Sequence, residues 1–176
     1  MKILIGQEEL EARTELLAAE LNYMFKDTPS NEITCVPLLQ GAIRFFVDTS
    51  RHFTFDPVVD YAGIRSYNGH MQMEFDLYKI PKADNIKGKT ILLFDDILDT
   101  GLTMGYMVNL MYELGAKEVV PVLLIRRSNT KITWDPRITR VVVCYDIADE
   151  WIWGYGLDAI DGTGRTLNDI IYKSDN

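Results

Sequence analysis

Residues Ile91, Leu92, Leu93 and Phe94 form an unbroken apolar run closed by Asp95 and Asp96, and that arrangement leaves few folds open. A strand with one wet face alternates apolar and polar side chains. A strand buried on both faces reads as a continuous apolar run, as in a parallel sheet covered by helices. Ile97 and Leu98 follow the acids, then Asp99-Thr100-Gly101-Leu102-Thr103, and then Met104, Met107, Met111 and Leu114 at helical spacing. The stretch therefore reads as strand, polar turn, helix. In a parallel sheet such a turn lies at the carboxyl end of a strand, where ligands collect. Short polar side chains, a glycine and a helix N-terminus carrying roughly half a positive charge suit a phosphate without Lys or Arg. The run has neither the Gly-x-x-x-x-Gly-Lys of a P-loop nor the three spaced glycines of a dinucleotide fingerprint. Asp95 and Asp96 would repel a phosphate unless a cation or sugar hydroxyls intervene. They point to ribose together with Mg²⁺, a hard ion that favours oxygen ligands.

The rest of the chain repeats the alternation. Ile3 to Ile5 suit a short strand, and Leu10, Leu17, Leu21 and Met24 recur at helical spacing within residues 8–25. Residues 33–39 read as a central strand interrupted by Pro37, followed by Gln40-Gly41 and a second helical pattern at Ala42, Phe45, Phe46 and Thr49. Residues 57–64 read as one strand leading into Arg65-Ser66-Tyr67-Asn68-Gly69-His70, where Asn-Gly is a hairpin signal. Polar and apolar residues alternate over 74–78, and 81–89 read as a solvated turn. Gly115 stands where a helix C-cap belongs, 119–125 are continuously apolar and 137–144 suggest a further strand. The expected fold is α/β: a single domain over 1–176 with a mainly parallel, twisted sheet flanked by helices.

Composition narrows the function classes. A formal charge of −8 disfavours sequence-independent binding to nucleic acid, which needs Lys and Arg to neutralise phosphates. No apolar run approaches a membrane span, and the first residues lack the apolar stretch of a signal peptide, so a cytoplasmic address is the expectation. Cys35 and Cys144 lie far apart without a CxxC pattern and read as buried free thiols.

The run from Ile91 to Thr103 resembles the 5-phosphoribosyl-1-pyrophosphate (PRPP) motif of the type I phosphoribosyltransferases, with every motif position filled. Four other stretches are similar to the hypoxanthine-guanine branch of the purine enzymes. Leu38-Leu39-Gln40-Gly41 resembles a pyrophosphate loop whose glycine follows a cis peptide, with Gln40 in place of the usual Lys. Arg65-Ser66-Tyr67-Asn68-Gly69 resembles a lid. Leu123-Leu124-Ile125-Arg126 ends where that branch places a Lys at the 6-oxo group of the base, and residues 149–158 resemble its base-stacking segment.

The resemblance implies a type I phosphoribosyltransferase fold with a flexible lid at about 65–80 and a small hood built from the N-terminal segment and the residues beyond about 150. It implies transfer of ribosyl 5-phosphate from PRPP to hypoxanthine or guanine in purine salvage, with release of pyrophosphate. Asp99 would be the general base; Asp95 and Asp96 would bind ribose; Asp99, Thr100, Gly101, Leu102 and Thr103 the 5-phosphate; Gln40, Gly41 and Arg165 pyrophosphate. Arg126, Trp151 and Ile152 would bind the purine, Ser66 and Tyr67 would form the lid, and Asp95, Asp96 and Asp158 would hold Mg²⁺. A homo-oligomer of two or four copies is implied, with no nucleic-acid or membrane partner. A xanthine-preferring enzyme and a PRPP- or nucleotide-sensing regulator of the same fold are the alternatives.

Overall fold

The computed structural model describes residues 1–68, 73–129 and 133–173, with the side chains of 66–68 and 73–74 left aside. The chain runs β1 (Lys2–Ile5), α1 (Gln7–Met24), a 3₁₀ turn (Ser30–Glu32), β2 (Ile33–Leu39), α2 (Ala42–Ser50), β3 (Val58–Val59), β4 (Ala62–Asn68) and β5 (Met73–Lys79). It continues through α3 (Ala83–Ile86), β6 (Thr90–Leu98), α4 (Leu102–Glu113), β7 (Glu118–Arg127), β8 (Val142–Ile147), β9 (Ile152–Trp153) and β10 (Ile170–Tyr172). Among the described residues the strands form two sheets. The larger has the order β5-β4-β2-β6-β7-β8, with β3 also pairing β2, and the smaller has the order β1-β10-β9.

The apolar run of β6 does what its pattern demands. Leu92 and Phe94 point into one core with Phe45 and Phe46 of α2 and Leu10, Leu17 and Leu21 of α1. Ile91 and Leu93 point into the opposite core with Met104, Met107, Val108 and Met111 of α4. All four strand residues are fully buried. The Phe94 ring lies 5.5 Å from that of Phe45 and 5.2 Å from that of Phe46, so truncation to Ala there costs about 3–5 kcal/mol. Parallel pairing of β6 with β2 and β7 gathers the strand ends that carry Gln40, Asp95 to Leu98 and Arg126 on one side of the sheet.

Pro37 sits inside a central strand because the edge it faces is broken. β2 pairs with β3 at Thr34 and Cys35 and then with β4 at Leu38 and Leu39. The Cys35 carbonyl accepts from the Asp60 amide on this edge, so Pro37, two residues on, turns its nitrogen to the gap, where no ladder bond is lost. The run at 57–64 is thus two strands, not one. The break is made by Asp60, a buried carboxylate that accepts from the Tyr61 and Lys82 amides, Asn85 Nδ2 and Lys79 Nζ at 2.8 to 3.1 Å. It ties the base of the β4–β5 hairpin to α3.

Two other segments differ from the sequence reading. The turn at 81–89 contains α3, whose Ile86 is fully buried. The strand expected at 137–144 is β8 at Val142–Ile147; Arg137 is held in a turn by Asp135, which accepts from its backbone amide and guanidinium. Gly115, at φ 90°, ends α4 as expected, with the Ala116 amide bonding the Met111 carbonyl. Both cysteines are free and buried. The smaller sheet joins the two ends of the described chain beside α1 and α2. Among the described residues no helix is long and apolar enough to cross a membrane.

Candidate active site

A cavity of about 380 Å³ opens at the carboxyl ends of β2 and β6. Its lining includes Gln40, Gly41, Asp95, Asp96, Asp99, Thr100, Gly101, Thr103, Asp158 and Arg165. Two helices point their N-termini at it. α2 begins after Gly41 and α4 after Gly101; neither has a side-chain cap and neither carries an acid in its first turn. α1 differs: Glu8 and Glu9 lie in its first turn and the Gln7 amide donates to Asp169 Oδ1 at 2.8 Å. The N-termini of α2 and α4 turn their positive ends to anions arriving from the cavity, with the Leu102 amide on Thr100 Oγ1 at 3.4 Å and the Ile43 amide on the Gln40 carbonyl at 3.3 Å. Gly101 enters α4 with φ 79°, in the left-handed region that glycine adopts without a Cβ clash.

Gly41 is required for a different reason. A Cβ there would stand 1.6 Å from Asp96 Oδ2, so only glycine lets the β2 turn pass over the acid. The Leu39–Gln40 peptide before it is cis. Gly156, at φ 104°, closes the other side, since a Cβ on it would lie 2.3 Å from the Gly41 carbonyl oxygen. Arg165 donates to the Gly156 carbonyl at 2.6 Å and pairs with Asp158 at 2.8 Å.

The two acids at the end of β6 are held in an environment that resists their charge. Burial, then the charge of Asp96, pushes the Asp95 carboxyl well above the ordinary carboxylate range. Burial also raises Asp96, opposed by bonds from Asp95 and the Ile97 amide and by the charge of Arg165. Such a pair gains from any cation or set of hydroxyl donors brought against it. Asp99 and Thr100 are exposed on the cavity wall.

A family model described as the phosphoribosyl transferase domain matches residues 4–160. The chain belongs to that family. It is 29% identical over 158 residues to a Bacillus subtilis hypoxanthine-guanine phosphoribosyltransferase, covering 89% of this chain and 84% of that protein. A Streptococcus thermophilus protein of the same name is 28% identical with the same coverage. Among solved structures, a Bacillus anthracis hypoxanthine-guanine phosphoribosyltransferase with HEPES in its active site superposes with a TM-score of 0.86 at 26% identity, over 99% of each chain. A Trypanosoma cruzi hypoxanthine phosphoribosyltransferase variant in a ternary substrates complex gives 0.81 at 25% identity, over 98% of this chain and 94% of that one.

Within this phosphoribosyl transferase domain the residues expected at the base lie outside the cavity lining. Arg126 and Asp146 are register neighbours on β7 and β8, and the guanidinium grips the carboxylate through Nε at 2.6 Å and Nη2 at 2.9 Å. Trp151 is 57% exposed, while Ile152 is buried in the core beneath the smaller sheet. Leu102, expected at the phosphate, has its side chain half exposed and contributes to the loop through its backbone, the amide donating to Thr100 Oγ1. Ser66 and Tyr67 pair through their backbones with Phe75 and Glu74 across the hairpin; their side chains and the Asn-Gly tip at Gly69, with His70, lie outside the described residues.

Asp95, Asp96 and Asp158, the residues expected at Mg²⁺, all line the cavity, and the Asp158 carboxylate pairs with Arg165 at 2.8 Å. No group of three or more His, Cys, Asp or Glu among the described residues is placed to hold a metal. Apolar lining residues were not singled out in the sequence. Leu38, Ile64, Met104 and Leu157 border the cavity, and all four carry the apolar pattern of ordinary core. Arg127, which with Arg126 reads in the sequence as the carboxyl end of a strand, is buried and donates to the Ala148 and Glu150 carbonyls just before Trp151.

Proposed function

We propose that this chain transfers ribosyl 5-phosphate from PRPP to a ring nitrogen of a 6-oxopurine, hypoxanthine or guanine, releasing pyrophosphate in purine salvage. The observation that carries this reading is the cavity where two helix N-termini, each entered through a glycine and without an acid in its first turn, flank buried Asp95 and half-buried Asp96. PRPP has two phosphate groups to seat at separate N-termini and a ribose between them. The 6-oxopurine is supported by the hypoxanthine-guanine relatives at 29% and 28% identity.

In the reaction the bond from the anomeric carbon to pyrophosphate breaks, and the leaving group departs with the electron pair. A bond forms from the purine nitrogen to that carbon, and the nitrogen's proton passes to the Asp99 carboxylate. The N–H groups of the α4 N-terminus hold the 5-phosphate beside Thr100 and Thr103. Gln40, Gly41 and Arg165 receive the charge that grows on pyrophosphate. Asp95 and Asp96 accept from the ribose hydroxyls, Arg126 donates to the 6-oxo group, Trp151 stacks on the base, the Ile152 backbone meets its edge, and Ser66 and Tyr67 close over the ribose to exclude water.

Two carboxyls that resist charge, joined by substrate oxygens, fit Mg²⁺, which is held through one or two carboxylates with water and phosphate. Bound there, Mg²⁺ supplies charge neutralisation for the diphosphate; Asp95 and Asp96 would hold it, with Asp158 reaching it through water. A cytoplasmic address and a homo-oligomer of two or four copies complete the proposal.

Purified protein with PRPP and Mg²⁺ is offered hypoxanthine, guanine, xanthine and adenine separately while pyrophosphate and nucleotide are measured. Turnover with the first two supports the proposal. Silence with all four, with PRPP still bound, favours a PRPP-sensing regulator. A preference for xanthine is the second reading, favoured by Arg126, whose planar fork offers more donors than a Lys at the strand end.

A further inference from the structure

Arg44 lies on α2, three residues beyond the Gly41 turn, and faces away from the stripe of Ala42, Phe45, Phe46 and Thr49 that packs the core. Its guanidinium crosses to the segment between β9 and β10. Nη1 donates to the Leu167 carbonyl at 2.7 Å, with the Thr166 carbonyl at 3.4 Å, and Nη2 donates to Asn168 Oδ1 at 2.8 Å. The same group stands 4.7 Å over the ring of Tyr155. Tyr155 is buried and holds φ 51° between Gly154 and Gly156, which are also left-handed. Its hydroxyl donates to Asp48 Oδ2 at 2.8 Å, one helical turn beyond Arg44.

These contacts meet the backbone that carries the pyrophosphate arm. The Tyr155 amide bonds the same Leu167 carbonyl that Arg44 holds, and the Gly156 amide bonds the Arg165 carbonyl. Arg165 returns its guanidinium to the Gly156 carbonyl and to Asp158. Gly41, at the start of Arg44's own helix, is the surface against which Gly156 rests.

We propose that Arg44, locked with Asp48 and Tyr155, is the positioning residue that sets Arg165 and the Gly41 turn at a fixed spacing, so that a diphosphate meets both at once. Arg44 is not among the residues that line the cavity; it acts through Arg165. The inference rests on the reading of the cavity as a PRPP site. A lysine at 44 keeps the charge and loses the fork that reaches Leu167 and Asn168 together.

The test is a double-mutant cycle on Mg²⁺-pyrophosphate affinity by calorimetry, with KM for the base and melting temperature measured alongside. Arg44→Lys in the wild-type background raises the pyrophosphate Kd about tenfold, with base KM within about twofold. In an Arg165→Ala background the same substitution changes Kd less than about twofold, because the arm it positions is gone. Tyr155→Phe, which removes the Asp48 bond alone, weakens pyrophosphate in the same direction by about threefold. Equal losses from Arg44→Lys in both backgrounds, unchanged pyrophosphate affinity, or parallel losses for pyrophosphate and base overturn the assignment. Wild-type protein that binds neither PRPP nor pyrophosphate overturns the PRPP reading as well, whereas wild-type binding with unaltered variants overturns the role of Arg44 alone.

Discussion

Asp95 to Thr103 are neighbours in the chain and, Leu102 apart, meet in one cavity, whereas Arg126, Trp151 and Ile152 come from two strands and a turn and stand outside its lining. The first set is fixed by elements already closed: β6 is buried on both faces and α4 begins just after Gly101. The second set has found other partners. Arg126 is held by Asp146, Trp151 faces solvent and Ile152 is core. On the proposed function, the seat of a large polyanion is built into the backbone of the sheet and two helix ends, whereas a flat base would have to redirect side chains, at the cost of a surface ion pair of about 0–1 kcal/mol.

The strongest way to break this contrast is Asp99→Asn. Turnover falls by about 10²–10⁴-fold while PRPP affinity moves little, since the loss is of proton acceptance and not of phosphate binding; steady-state kinetics with direct PRPP titration decides it, and equal losses would remove Asp99 from the base role. Next, Gly41→Ala forces its methyl into Asp96. It reduces kcat/KM for PRPP by about 10²-fold, as expected for misplaced pyrophosphate donors, with KM for the base nearly constant.

Asp60 sharpens the contrast from the hairpin's side. Burial opposes its charge, but bonds from Asn85, Lys82, Tyr61 and Lys79 overcome that and hold it at about 2. Its folded value lies below the unfolded one near 3.9, so its stabilisation of about 2 kcal/mol is present above the unfolded value and is lost as pH falls through the window from about 4 to about 2. In Asp60→Asn, denaturant melts between pH 6 and pH 2 lose that part of the acid dependence. An unchanged profile would detach Asp60 from the hairpin base. The smallest effect is on Trp151→Ala, which raises base KM about tenfold or less and leaves PRPP binding unchanged, because an exposed ring contributes stacking alone.

How far the fold could be read before the structure follows from the same division. The β6 run shows its burial by missing alternation, and the turn after it announces itself in consecutive residues. The hood comes from the family resemblance, which joins the region beyond about 150 to the N-terminal segment; β1, β10 and β9 form one sheet. Ile86 in a charged turn and the break at Asp60 were not legible, because what fixes them is a partner remote in sequence. The Arg126–Asp146 grip is of the same kind: register between β7 and β8 makes it, and a sequence carries no register for strands joined by a long connection.

The pairing of β1 with β10 has a temporal side. Lys2 lies opposite Tyr172, and the Gln7 amide at the head of α1 is bonded by Asp169, 162 residues later. In chain order β2, α2, β6, α4 and β7 all precede those partners, so they leave the ribosome first. Contacts of that separation carry a large loop-closure cost and form late. Arg165 and Asp158 lie in the segment this pairing closes, so on the proposed function a growing chain has its phosphate loop before its pyrophosphate arm. Holding the whole donor would then wait until β10 is laid beside β1.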